Sequence, residues 1–155
     1  MNTATPSPSS PTPAEDQPGA QAAQIWPDAE LFDISEWPIA FGHFPELDAS
    51  DRVRRMLGSL DAILDRKQRF VLVWIPARHD HDDEPHEDEK QSMIWLKRRK
   101  VELRERCAGY VYITTDPALR TLLTARFDEV ARLLPFPKLL ANDRAEARRL
   151  ALTLL

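Results

Sequence analysis

The chain has 155 residues, of which 43% are hydrophobic and 30% charged, as expected for one globular domain. Its formal charge is −4, and its longest apolar run, Phe70 to Ile75, has six residues, far fewer than the roughly 20 that span a bilayer. The single cysteine, Cys107, excludes an internal disulfide and fits a reducing compartment. These values predict a cytoplasmic protein without a transmembrane segment or a membrane partner.

The charges are distributed unevenly. Residues 1–30 contain four acids and no base, and residues 31–155 hold the remaining 21 acids and all 21 bases. A neutral domain lacks the positive field that drives binding to nucleic acid, and no aromatic-rich basic strand accompanies the basic residues. Nucleic acid is therefore not an expected partner.

Residues 1–24 are predicted to form a disordered tail. This segment holds five of the thirteen prolines and no aromatic residue, so it cannot offset its own ordering entropy. It also lacks the basic start and the apolar stretch of a secretory signal. The folded domain is therefore predicted over residues 25–155.

The first half of that domain alternates between strand and helix patterns. Alternating apolar residues over 31–44 predict a strand or a strand pair that is interrupted at Pro38. Asp48 or Ser50 is expected to cap a following helix. Its apolar residues recur at three and four positions: Val53, Met56, Leu57, Leu60, Ile63 and Leu64. The run Phe70 to Ile75 then predicts a strand that is buried on both faces.

The second half continues the alternation. A helix is predicted after an acidic loop, and its apolar stripe contains Met93, Leu96, Leu103 and Cys107, widened by Ile94 and Val101. Residues 110–114 predict the next strand, and Asp116-Pro117 is the expected start of a third helix. That helix carries a stripe of Leu119, Leu122, Leu123, Phe127, Val130 and Leu134. A short strand within 136–141 and a helix capped by Asn142 or Asp143 complete an α/β domain.

This order of elements resembles the small STAS-like (SpoIIAA-like) bacterial domains. The most similar stretch is CAGYVYITTDPALR, from Cys107 to Arg120, in which a helix end at Gly109, a strand and an Asp-Pro helix start follow one another. The resemblance implies one domain of about four mainly parallel strands with crossover helices. It also implies a non-enzymatic regulatory module that acts by binding another protein or a second copy of itself.

The chain departs from the STAS pattern in one loop. Regulatory STAS domains of the anti-sigma antagonist type carry a phosphorylated serine in a short Asp-Ser loop after the central strand. The corresponding loop here is longer and acidic, and its nearest serine, Ser92, is predicted to lie within the helix. The phosphorylation site of that family is therefore not transferred to this chain.

The same loop contains the sharpest chemical pattern of the sequence. Residues 78–89 hold three of the four histidines and seven of the 25 acids, just after the carboxyl end of the central strand, where α/β proteins bind ligands. Imidazole and carboxylate together suit Zn²⁺, Fe²⁺, Mn²⁺ or Ni²⁺. A metal-handling alternative would use His79, His81, His86 and Glu87, with Asp82 or Asp88 as further ligands.

Other interpretations of the loop remain open. Its acids favour a helix N-terminus without any metal, its spacing matches no established zinc motif, and it could be a solvated loop. The chain shows no G-x-S-x-G or glycine-rich phosphate motif, and the position of Cys107 indicates a buried thiol rather than a nucleophile. No catalytic residue is assigned, and a metal-free small-ligand binder is the least favoured class.

The helix after the loop is the predicted partner-binding surface. Its basic run begins at Lys97 and lies beside an aromatic side chain. An acid–base face within the domain is the simpler interpretation of these charges. The residues expected to contact a partner are Trp95, Lys97, Arg98 and Lys100. The leading hypothesis is a STAS-like interaction module, and the alternative is the metal-handling protein.

Overall fold

Five strands and four helices form the described part of the chain. The structure is a computed structural model that describes residues 26–79 and 83–155, so the predicted tail, residues 1–24, lies outside the described residues. The elements are β1 (Phe32–Asp33), β2 (Ile39–His43), α1 (Arg52–Leu64), β3 (Phe70–Ile75), α2 (His86–Arg106), β4 (Cys107–Ile113), α3 (Pro117–Val130), β5 (Lys138–Ala141) and α4 (Arg144–Leu154).

The strands form one mixed sheet in the order β1-β2-β3-β4-β5. Strands β2, β3, β4 and β5 are parallel to their neighbours, and β1 is antiparallel to β2. The single α/β domain is confirmed, but the sheet has five strands instead of about four. The added strand is the two-residue β1, which pairs with Phe41 and Gly42 across the interruption predicted at Pro38.

The central strand β3 divides the core into two layers. Phe70, Leu72 and Trp74 point to one face, and Val71 and Val73 point to the other. All five side chains are buried, which agrees with the prediction of a strand that is buried on both faces. The strand occupies the predicted residues from Phe70 to Ile75.

Helices cover both faces of the sheet. Helices α1 and α2 pack on the face of Leu72 and Trp74, whereas α4 covers the other face through Ala147 and Ala151. The predicted cap of α4 is confirmed, because Asp143 accepts a hydrogen bond from the backbone N–H of Glu146. None of the helices in the described part of the chain combines the length and the apolar composition of a membrane span.

Two predicted helix ends are wrong. Helix α1 begins at Arg52 and is capped neither by Asp48 nor by Ser50; the preceding Asp51 adopts a left-handed conformation, with φ 49°, that carries the chain directly into the helix. Cys107 is the first residue of β4 rather than part of the α2 stripe, because α2 passes into β4 without an intervening loop. The thiol is nevertheless buried, as predicted.

Helix α3 is covered less than its apolar stripe predicts. Its start at Pro117 is confirmed, since Asp116 accepts a hydrogen bond from the backbone N–H of Ala118. No residue of α3 is fully buried, and Phe127 reaches the sheet at Tyr112 with ring centroids 5.3 Å apart. The sheet ends on this side at the four-residue strand β5, so it offers α3 little apolar surface.

Candidate functional site

Two loops meet at the carboxyl edge of the sheet. Because β2 and β3 are adjacent and parallel, the segments that follow them leave the same edge, where α/β proteins commonly bind ligands. The segment after β2 supplies Glu46 and leads to Arg52, and the segment after β3 supplies His79 and Glu84 before Asp88 in α2. We refer to these five residues as the carboxyl-edge cluster.

Arg52 is the anchor of the carboxyl-edge cluster. Its side chain is 9% exposed, and all five of its N–H groups have acceptors. Nη1 and Nη2 bind the two carboxylate oxygens of Glu84 at 2.7 and 3.0 Å. The remaining acceptors are Asp88 Oδ2 at 2.8 Å, the Pro45 carbonyl at 2.8 Å and the Glu46 carbonyl at 3.2 Å. Arg52 therefore holds the two loops together and keeps no donor for a ligand.

The ion pair shifts the protonation equilibria of both partners. The hydrogen bond with Glu84 raises the pKa of Arg52 above its ordinary value, against the opposing effect of burial. Burial of Glu84 favours its neutral form, but hydrogen bonds with Arg52 and His79 outweigh that effect and lower the pKa of this carboxyl. Both shifts favour the ionised pair.

His79 occupies the interior of the carboxyl-edge cluster. Its side chain is 10% exposed, and its Nε2 lies 2.5 Å from Glu84 Oε1. Its other ring nitrogen, Nδ1, lies 3.7 Å from Glu46 Oε2, which is beyond hydrogen-bond distance. Nδ1 is buried and has no hydrogen-bond partner among the described groups. An unpaired buried nitrogen of this kind requires an explanation.

The predicted metal ligands do not gather into one described cluster. His86 and Glu87 lie exposed in the first turn of α2, and His81, like Asp82, lies outside the described residues. Within residues 26–79 and 83–155, no three His, Cys, Asp or Glu side chains are placed to hold one ion. His79 instead contacts Glu84 and faces Glu46, a residue that sequence reasoning did not select.

The predicted partner-binding residues lie on different sides of α2. Trp95 is 5% exposed, and its indole N–H donates to Asp61 Oδ1 of α1 at 2.9 Å. Arg99, one turn later, donates to the same oxygen at 2.8 Å. The side chain of Trp95 therefore joins α2 to α1, whereas Lys97 and Arg98 are exposed and Lys100 is half-buried.

The side of α2 that points away from the sheet carries apolar as well as basic residues. The sequence predicts that Ile94 and Val101 widen the apolar stripe of the helix, but their side chains are 57% and 56% exposed. They share one side of the helix with Lys97 because the three residues are spaced at i, i+3 and i+7. We define the outer face of α2 as Lys90, Ile94, Lys97, Arg98 and Val101. The three bases of this face form no hydrogen bond or ion pair within the described residues.

Sequence reasoning did not select three residues of the carboxyl-edge cluster, namely Glu84, which lies within the acidic loop, and Glu46 and Arg52. Glu46 and Arg52 precede the acidic loop by about thirty residues and belong to no local motif. The order of neighbouring parallel strands was the available signal, because it predicts that the segments after β2 and β3 share an edge.

Comparisons with protein-family models, with curated proteins and with solved structures gave no match to this chain.

Proposed function

We propose that this chain is a non-enzymatic, cytoplasmic regulatory module of STAS-like type that binds another protein through the outer face of α2. The observation that carries the proposal is the exposure of Ile94 and Val101 beside bases that have no partner within the described residues. The alternation of strands and helices in a sheet of consecutive order supports the STAS-like part of the proposal. The absence of a catalytic motif in the sequence favours binding over catalysis.

The outer face of α2 is a narrow, rigid stripe. Ile94 and Val101 lie two helical turns apart, about 10 Å along the axis, with Lys97 between them. The opposite side of the helix is fixed to α1 by Trp95 and Arg99, which share Asp61 as an acceptor. A helix that is held firmly on one side can present its other side to a partner without a large ordering cost.

The charges of the outer face favour an acidic partner. Lys90, Lys97 and Arg98 are exposed, whereas Arg99 on the inner side pairs with Asp61, Asp65 and Glu102. A second copy of the same face would place like charges opposite one another, which is unfavourable. The partner we propose is therefore a different protein with an amphipathic helix that alternates apolar and acidic residues.

Site-specific photocrosslinking in the native host tests this surface. A photoreactive side chain at Val101 should capture one defined protein, and the same group at Leu152 on the exposed side of α4 is the control. Capture of the same species from both positions, or from neither, contradicts the proposal. Capture of a second copy of this chain contradicts the choice of a different acidic partner.

The purified pair then provides the quantitative test. The double variant K97E/R98E should weaken binding at least tenfold, and the affinity of the unchanged chain should fall between about 50 mM and about 500 mM salt. The matched control is the α4 variant R149E/L152D, which alters an exposed base and an exposed apolar residue on the other side of the sheet. Equal loss in both variants contradicts a specific role of the outer face.

A further inference from the structure

His79 is positioned like a metal-binding histidine. Its Nε2 lies 2.5 Å from a carboxylate oxygen of Glu84, and a carboxylate can only accept, so the proton of that contact belongs to Nε2. In the neutral ring Nδ1 then carries a free lone pair, which is the form that binds a metal ion. Histidine ligands of metals commonly donate their second ring N–H to a carboxylate in this way.

Glu84 is itself immobilised. Both of its oxygens accept hydrogen bonds from Arg52, which is anchored on the Pro45 and Glu46 carbonyls. Arg52 holds Glu84 and Glu84 holds His79, so these contacts fix the orientation of the imidazole before a metal ion binds. Such outer contacts strengthen a metal site by reducing the reorganisation that binding requires.

The separation between His79 and Glu46 suits a shared ion. Nδ1 and Oε2 lie 3.7 Å apart, too far for a hydrogen bond. Two ligands at the usual distances from a tetrahedral zinc ion lie about 3.4 Å from each other. Both oxygens of Glu46 accept from the backbone N–H of Arg78, at 3.1 and 3.2 Å, so the carboxylate is directed toward the segment that carries His79.

We propose that His79 Nδ1 and Glu46 Oε2 bind one divalent transition metal ion at the carboxyl edge of the sheet, with water in the other coordination positions. Imidazole with carboxylate selects Zn²⁺, Ni²⁺ or Fe²⁺ over Mg²⁺ or Ca²⁺. This site is separate from the outer face of α2 and does not depend on the proposed protein partner. It also differs from the predicted set of ligands, because it uses Glu46 in place of His86 and Glu87.

A zinc titration of the full chain, monitored by isothermal titration calorimetry, tests the site. The unchanged protein should bind one Zn²⁺ ion, and E46Q and H79A should each weaken that binding at least tenfold. The outer-contact variant E84Q should weaken it by about 10- to 100-fold. The control variants H86A, E87Q and H81A should bind zinc like the unchanged protein. The outer-face variant K97E/R98E should also bind zinc normally, so a loss of partner binding in that variant would test the proposed function and not the metal site.

Nitrogen-15 spectra of the histidine rings provide a readout that a purely structural role would not change. Zinc should shift Nδ1 of His79 into the metal-bound range while Nε2 keeps its proton. Should H79A fail to fold by circular dichroism, E46Q decides, since Glu46 is partly exposed. The proposal would be overturned if the protein did not bind zinc or if binding survived E46Q. It would also be overturned if binding were lost in H81A or H86A, a result that would indicate only adventitious capture by the acidic loop.

Discussion

Arg52 and Glu84 form a bidentate ion pair that joins the first turn of α1 to the segment before α2. Nη1 to Oε2 is 2.7 Å and Nη2 to Oε1 is 3.0 Å, across 32 residues of sequence. The paired geometry matches the planar guanidinium to the carboxylate. Because Asp88 accepts from the same guanidinium, one side chain fixes the turn before α2 and also the first turn of that helix.

The variant R52M should destabilise the fold strongly. It leaves the carboxylates of Glu84 and Asp88, 17% and 23% exposed, without their cation, and breaking a buried pair in this way costs roughly 3 kcal/mol. Urea denaturation measures the change. The control R54M breaks an exposed pair with Asp51 and should cost less than about 1 kcal/mol; equal losses would contradict a special role for Arg52.

The variant W95F separates the structural role of Trp95 from partner binding. It removes the indole N–H that donates to Asp61, and a hydrogen bond to a charged group contributes about 1.5–3 kcal/mol. The free energy of unfolding should fall by that amount, and the loss should be smaller in a D61N background. Affinity for the captured partner should stay unchanged, and a large loss of affinity would place Trp95 in the interface.

The thiol of Cys107 should be unreactive in the folded protein. Burial raises the pKa of this thiol to about 12. The thiolate is the form that attacks disulfide reagents, and it is therefore scarce in the folded protein at about pH 8. An aromatic disulfide reagent should label the folded chain slowly and the urea-unfolded chain completely. Because the pKa of the Cys107 thiol is raised in the folded state, the stabilisation from the buried neutral thiol is lost as the pH rises from 9.0 toward about 12. Rapid labelling of the native protein would contradict a buried, unreactive thiol.

Acid should remove the contribution of Asp28. Its Oδ2 accepts from Arg55 Nε at 2.6 Å, and this hydrogen bond lowers the pKa of the carboxyl below 3.8. A lowered folded-state pKa stabilises above the ordinary value, and the effect is lost as the pH falls through the folded-state value. D28N should therefore unfold at lower urea than the unchanged chain at about pH 7, and the gap should narrow as the pH falls below 3.8. A constant gap would exclude the ion pair as its source.

Local chemistry in the sequence located much of the fold. The β-prone run from Phe70 to Ile75 defines its own strand, and Asp116 with Pro117 and Asp143 mark helix starts through hydrogen bonds to backbone groups two or three residues away. The cap of α1 was missed because Asp51 in a left-handed conformation leaves no capping pattern. The apolar stripe of α3 was predicted, but its partial exposure was not, because the width of the sheet beneath the helix depends on distant strands.

The carboxyl-edge cluster was only partly predictable. The acidic loop predicted His79 as a ligand because histidine and carboxylate residues lie close together there in the sequence. Glu46 and Arg52 became neighbours of that histidine through the parallel pairing of β2 with β3, a long-range contact that no spacing encodes. The same limit applies to Trp95, whose hydrogen-bond acceptor Asp61 lies on another helix.

The consecutive strand order has a practical consequence for engineering this chain. Since every pairing partner in the sheet is also the next strand along the sequence, a cut between β3 and β4 separates the sheet into two contiguous pieces with whole strands. The fragment ending after β3 would keep α1, and the fragment beginning before α2 would keep α3 and α4. The two pieces share the β3–β4 ladder and the α1–α2 contact, so the domain is suited to fragment complementation, in which reassembly of the halves reports that two fused proteins have met.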